Sequence, residues 1–124
     1  MRCGISAETG QLIYGWEHCF QSIRKCLTTR IGSRCLRRHM GADVPNYIDA
    51  NGDERTIMEL FRSIIEALDD PDSGEPGFSV QRIEMAQAER DGAYHFIMDG
   101  VFYPNGHLGD WSVRESRQAI WPQR

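Results

Sequence analysis

The 124-residue sequence has no apolar run near the roughly twenty residues a membrane-spanning helix needs, so no membrane contact is expected. Its opening stretch, Met1 to Gly10, holds a single arginine and no apolar centre, and a cleaved signal peptide is not expected either. There is no Cys-x-x-Cys pair. Cys3, Cys19, Cys26 and Cys35 are scattered, and the nearest thing to a ligand pair, Cys35 with His39, falls short of the two close pairs that zinc sites use. No metal or other cofactor is expected. A glycine-rich loop after a strand is missing, which excludes a phosphate-binding loop. His18, His39, His95 and His107 lie apart from any serine or cysteine in a nucleophile context. Positive charge is not in excess: 14 Lys and Arg face 18 Asp and Glu, a net charge of −4, whereas a general nucleic-acid binder needs a dominant cationic face. Internal repeats and low-complexity tracts are absent.

What is present is the composition of one soluble globular domain, 40% hydrophobic and 26% charged, long enough to bury a core. Residues 1–124 are read as a single domain, with 1–15 as an N-terminal arm and 105–124 as a C-terminal docking tail. Charge is unevenly spread. The segment from Arg24 to Arg38 is basic and that from Asp49 to Glu75 mainly acidic, a split that suits docking to protein partners or pairing inside the fold.

The chain is organised around a helix that begins at Trp16. Trp16, Cys19, Phe20, Ile23, Cys26, Leu27 and Ile31 recur at steps of three and four, which makes one face apolar. Cys19 and Cys26 are then small reduced core residues. Gly32 is placed to stop the helix, and Ser33 to Met40 is read as extended. A second helix starts after Asp53, a suitable N-cap, with Ile57, Leu60, Phe61, Ile64, Ile65 and Leu68 on its apolar stripe. Asp69-Asp70-Pro71 ends it.

Beyond this point the period becomes two. Phe78 and Val80 alternate, then Ile83 and Met85 on the opposite parity, which predicts a bulge near Gln81-Arg82. Arg90-Asp91-Gly92 reads as a hairpin turn, with Tyr94, Phe96 and Met98 on one side of the returning strand until Asp99-Gly100 interrupts it. The expected fold class is α+β, two main helices packed on a small, mostly antiparallel sheet.

The order Gln21-Ser22-Ile23, Leu27-Thr28-Thr29, Gly32-Ser33-Arg34 and Gly41-Ala42-Asp43-Val44-Pro45 resembles the baseplate wedge proteins of contractile phage tails. These are the baseplate assembly protein W or tail lysozyme-like family, which has type VI secretion relatives. The resemblance spans roughly residues 16 to 103. Ser33 stands where the family's turn carries Glu, and Ala42 where it carries Ser.

The resemblance implies a structural role without enzymatic activity. The chain would sit in a virion tail baseplate, assembled in the bacterial host cytoplasm in multiple copies of a symmetric array. It would dock to other baseplate wedge proteins and template the first ring of tail sheath subunits by strand addition to a sheet edge. Glu75-Pro76-Gly77 lies where the family has Glu-Pro-Arg, and is implied to attach to the wedge core bundle, with Gly77 in place of the arginine and Arg82 as its substitute. An ordinary Glu-Pro-Gly turn is the competing reading. Arg34, Arg37, Arg38 and the adjoining His39 would face acidic neighbours, unless they are a solvated face or pair with Asp43, Asp49 or Asp53.

Cys3 and Cys35 are expected as free thiols, with an interchain disulfide as the alternative for a virion in an oxidising medium. The family's lysozyme label raises a peptidoglycan-cleaving enzyme using Glu75 with Asp91, Glu84 or Glu89, but no pair is singled out and no aromatic sugar platform accompanies them. An adaptor-type binding domain is the remaining alternative.

Overall fold

A computed structural model describes residues 2–47, 50–70, 74–90 and 94–121. The chain opens with a hairpin of β1 (Cys3–Ile5) and β2 (Leu12–Tyr14), runs directly into α1 (Gly15–Thr28), and crosses a loop to α2 (Glu54–Asp69). β3 (Phe78–Ala88), β4 (Tyr94–Phe102) and β5 (Glu115–Trp121) then form an antiparallel sheet in the order β3-β4-β5. The fold is α+β, as its hydrophobic periods indicate.

α2 starts as expected: the Asp53 carboxylate accepts the Thr56 amide at 3.1 Å, satisfying a donor the helix itself leaves unpaired. α1 ends earlier than its apolar spacing implies. The Thr28 and Thr29 hydroxyls donate to the carbonyls of Arg24 and Lys25, at 2.8 and 2.7 Å, and these local bonds compete with the next helical turn. Ile31 is consequently off the helix and 47% exposed, and Gly32, at φ +84°, serves the following turn. Ser33 to Met40 is not extended. Bonds from Gly32 N to Arg38 O and from Met40 N to Arg37 O fold it into turns, and an Arg30–Ala42 bridge closes its base.

Cys19, Ile23, Cys26 and Leu27 of α1 meet Ile64, Ala67 and Leu68 of α2 and Phe78, Met98, Phe102 and Ala119 of the sheet in one core. Burial of each large apolar side chain here contributes about 1.5–3 kcal/mol. Trp16 caps this core, its ring 5.4 Å from both Phe78 and Phe102. Phe61 of α2 meets Phe96 edge-on at 5.6 Å, and Phe96 stacks on Trp121.

The bulge is present, a register shift between Val80 and Arg82, and a second shift follows between Met85 and Gln87. β4 does not break at Asp99-Gly100. Gly100 is buried under Phe78, where a Cβ would come within 2.7 Å of the ring, so the glycine is there for close packing within a continuous strand. The expected turn at Arg90-Asp91-Gly92 falls largely on residues 91–93, outside the described residues.

Within the segment read as the N-terminal arm, the β1–β2 hairpin is clamped to α1 by Gln21, which accepts from Ala7 N at 2.9 Å and donates to Ile5 O at 3.0 Å. Within the segment read as the docking tail, β5 pairs with β4 from Phe102–Glu115 to Phe96–Trp121, placing Ala119 and Trp121 on the core side.

Candidate docking site at the Glu75 turn

Glu75 follows the end of α2 and leads into β3. Its amide donates to Leu68 O, its carbonyl accepts from Phe78 N, and Gly77 O accepts from Tyr103 N, so the turn is tied to a helix and two strands. The side chain points inward and is 2% exposed. A buried carboxylate needs a counter-charge and several donors. Arg2 supplies the charge in a two-pronged pair, its Nη1 on Oε1 and its Nη2 on Oε2 at 2.8 Å. The Gly77 amide donates at 3.0 Å and the Ser22 hydroxyl adds a further bond.

Behind the pair, Arg2 Nε donates to His18 Nδ1 at 2.9 Å, so the imidazole is neutral with its proton on Nε2. Burial would push the Glu75 carboxyl up, but the bonds from Arg2 and Ser22, the Arg2 charge and the Gly77 amide outweigh it and hold it below the usual range. Burial and the neighbouring Arg2 charge hold His18 low. Burial also opposes the Arg2 charge, yet Glu75 outweighs it and raises the guanidinium.

Two glycines make room for this arrangement. A Cβ at Gly77 would meet Arg2 Nη1 at 2.7 Å, and one at Gly4 would meet the His18 ring at 2.2 Å. The cation facing Glu75 is Arg2, while Arg82 is on the exposed part of β3 and pairs with Glu84. Arg2 carried no signal in the sequence, since a single arginine far from Glu75 belongs to no local pattern.

Pro76 is exposed on the outside of the turn, while Gly77 is buried. Arg34 is half-buried, and Arg37, Arg38 and His39 are exposed on the loop after α1. Cys3 and Cys35 are exposed thiols and Cys19 and Cys26 buried ones, the Cys26 thiol donating to Ala67 O and the Cys19 thiol pushed up to about 12 by burial.

Among the carboxylates weighed for sugar cleavage, Glu84 faces Arg82, Glu89 faces Gln87, and Asp91 lies outside the described residues. Glu75 is held ionised, opposite to the raised pKa of a general acid. Among the described residues no group of three or more His, Cys, Asp or Glu is arranged to hold a metal, and no helix is long and apolar enough to cross a membrane.

No protein-family model matches the sequence, and no curated protein matches it. Solved structures do. A chain of the post-contraction pyocin R2 baseplate superposes with a TM-score of 0.66 at 21% identity, over 82% of this chain and 98% of that one. A Geobacter sulfurreducens protein, solved as a candidate tail lysozyme, superposes with a TM-score of 0.59 at 18% identity, over 87% of this chain and 90% of that one. The chain thus shares its fold with a contractile-type baseplate protein and with a candidate tail lysozyme, the fold that its resemblance to the wedge family implied.

Proposed function

We propose that this chain is a structural baseplate component of a contractile tail, and that it works by binding rather than by catalysis. The observation that carries this reading is the superposition on nearly the whole of a pyocin R2 baseplate chain, 98% of its length. Glu75 acts here as a positioning residue: locked to Arg2, it fixes the turn that presents Pro76 to a wedge partner. Arg34, Arg37 and Arg38 offer positive charge to acidic neighbours, and Cys3 and Cys35 are accessible to interchain disulfides in an oxidising medium.

Of the two sheet edges, β5 is the one suited to receive a sheath strand. Its pairing with β4 has no register shift, whereas the β3 pairing carries two shifts, a feature that blunts an edge. A groove of about 1110 Å3 borders β5, with Gln118 and Ile120 on one side and Ile13, Trp16 and Phe20 on the other. The assembly would form in the bacterial host cytoplasm, in several copies.

The test is affinity copurification from cells carrying the native gene cluster, with Ile120→Lys beside wild type and peptidoglycan release assayed on the same preparation. Wedge and sheath proteins should accompany wild type, and sheath should be lost with Ile120→Lys. Peptidoglycan release without any tail protein would overturn the reading in favour of the enzyme; capture of a non-tail host protein alone would favour an adaptor.

A further inference from the structure

We infer that protonation of His18 unlatches the β1–β2 hairpin from α1 and so removes one wall of the groove beside β5. The inference rests on the docking role proposed for that groove and names its regulation. The hairpin and its connecting turn give Ser6, Ala7, Glu8 and Ile13 to the groove lining, to which β5 gives Gln118 and Ile120.

The hairpin has little apolar grip on the rest of the protein. Ile5, Leu12 and Tyr14 are 65%, 62% and 52% exposed, and of the two strands only Gly4 and Ile13 are half-buried. Polar contacts hold it instead. Gln21 grips its far end at Ala7 and Ile5, and the Arg24–Glu8 pair, 3.3 Å apart and largely in solvent, adds little. At the near end Arg2 is fixed to Glu75, and the backbone at Gly4 rests on the His18 ring, where a Cβ would come within 2.2 Å. An element held in this way opens more readily than the packed core.

The contact through His18 depends on a group that gains charge in mild acid. Its Nδ1 accepts from Arg2 Nε at 2.9 Å, which requires the neutral ring. Protonation turns this acceptor into a donor facing a donor and sets two cations side by side. The groups facing His18 come from three elements: Arg2 of the hairpin, Glu75 of the turn before β3, and His107 of the loop between β4 and β5. Burial, Arg2 and His107 oppose the proton and Glu75 favours it, with the balance against. Glu75 cannot replace the lost partner, because two bonds from Arg2 and one each from Gly77 and Ser22 already fill its oxygens.

The imidazolium must then find water, and the backbone at Gly4 lies across the ring. Arg2 keeps its grip on Glu75 and serves as the hinge, while the strands from Cys3 to Tyr14 swing off α1. By linkage, each unit by which docking lowers the His18 pKa becomes about a tenfold loss of docked hairpin once the ring is charged.

The experiment is an NMR titration of the isotope-labelled full chain from pH 8 to pH 5. Glu75, its pKa lowered from 4.5, stays ionised over this range. The Gly4 contact with the His18 ring, the Ala7 amide and the Gln21 side-chain amide should all change with the midpoint of the ring itself, below pH 6.5, and protection of the Ala7 amide should fall about tenfold or more. His18→Asn, whose side-chain oxygen accepts from Arg2 and does not titrate, should keep the hairpin docked at pH 5. His107→Asn should retain the transition. A hairpin that stays docked while the ring titrates, or that moves with another midpoint, would overturn the inference, and both are read in wild type.

Copurification at the two pH values separates this inference from the reading beneath it. Glu8, Glu17 and His95 also line the groove, and their titration is common to wild type and His18→Asn. Tail proteins should accompany both chains at pH 8 and only His18→Asn at pH 5; equal behaviour of the two at pH 5 counts against the inference. If the hairpin transition is seen but no tail protein accompanies wild type at pH 8, the latch stands and the baseplate reading falls.

Discussion

Replacing Arg2 by alanine should destabilise the fold far more than a change so near the start of a chain normally does. Glu75 is 2% exposed and Arg2 11%, so the substitution leaves a buried carboxylate without its counter-charge. Breaking a buried pair from one side costs about 3–5 kcal/mol. The Ser22 hydroxyl and Gly77 amide remain on the carboxylate, which places the expected loss near the lower end, about 3 kcal/mol. Against a typical domain stability of about 5–15 kcal/mol, this is a large share.

Urea unfolding followed by circular dichroism at pH 7 measures the loss. The double variant Arg2→Ala/Glu75→Gln removes the stranded charge and should be more stable than the sum of the single losses, by about 1–3 kcal/mol. Acid gives an independent check. The Glu75 pKa is lowered from 4.5 in the fold, so its contribution is complete above pH 4.5 and is lost as pH falls through the folded value. The gap between wild type and Arg2→Ala should therefore narrow below pH 4.5. A loss under about 0.5 kcal/mol at pH 7, within the range of ordinary surface substitutions, would refute the reasoning.

Three further outcomes are expected. His18 has its pKa lowered from 6.5, so its contribution is full above pH 6.5 and declines as pH falls; its imidazole resonance should titrate below that value, and a midpoint at or above it would contradict a neutral, Nδ1-accepting ring. Gly77→Ala forces a Cβ to 2.7 Å from Arg2 Nη1 and 3.1 Å from Glu75 Oε1, and should lower stability in urea by about 1–3 kcal/mol, with an unchanged midpoint as the refuting result. In the native protein Cys3 and Cys35 should react with a thiol reagent while Cys19, pushed up to about 12, and Cys26 stay silent until the chain unfolds; four fast thiols would disprove the buried assignment.

The sequence made α2 and the kink of β3 legible because each has a signal in consecutive residues: an aspartate cap before a helical stripe, and a change of parity between Val80 and Ile83. The end of α1 was hidden because the apolar spacing continues to Ile31 while two threonine hydroxyls divert the last turn. β5 was hidden for a different reason. Its inward positions are the small Ala119 and Trp121, while its largest aliphatic residue, Ile120, points outward and is 48% exposed, so the period-two pattern of a half-buried strand does not appear. Gly100 misled in the same way: a glycine demanded by the ring of Phe78 is indistinguishable in one dimension from a turn former.

The site shows why a matched motif and a matched fold speak to the same property. Gln21, Ser22 and Ile23, which carry part of the family resemblance, are adjacent in the chain and face three parts of the structure. Gln21 clamps the hairpin that bears Arg2, Ser22 donates to Glu75, and Ile23 is fully buried against α2 and the sheet. A run that joins hairpin, turn and core is constrained by folding. The departure at Gly77 belongs to the same logic: a Cβ there would occupy the space of the Arg2 guanidinium, so the glycine at 77 and the arginine at 2 form one feature spread over distant parts of the chain. On the proposed reading, docking would depend on side chains that this framework exposes. Pro76 and Ile120 are such residues, and substitutions there should separate binding from folding, which no change at Arg2 or Glu75 can do.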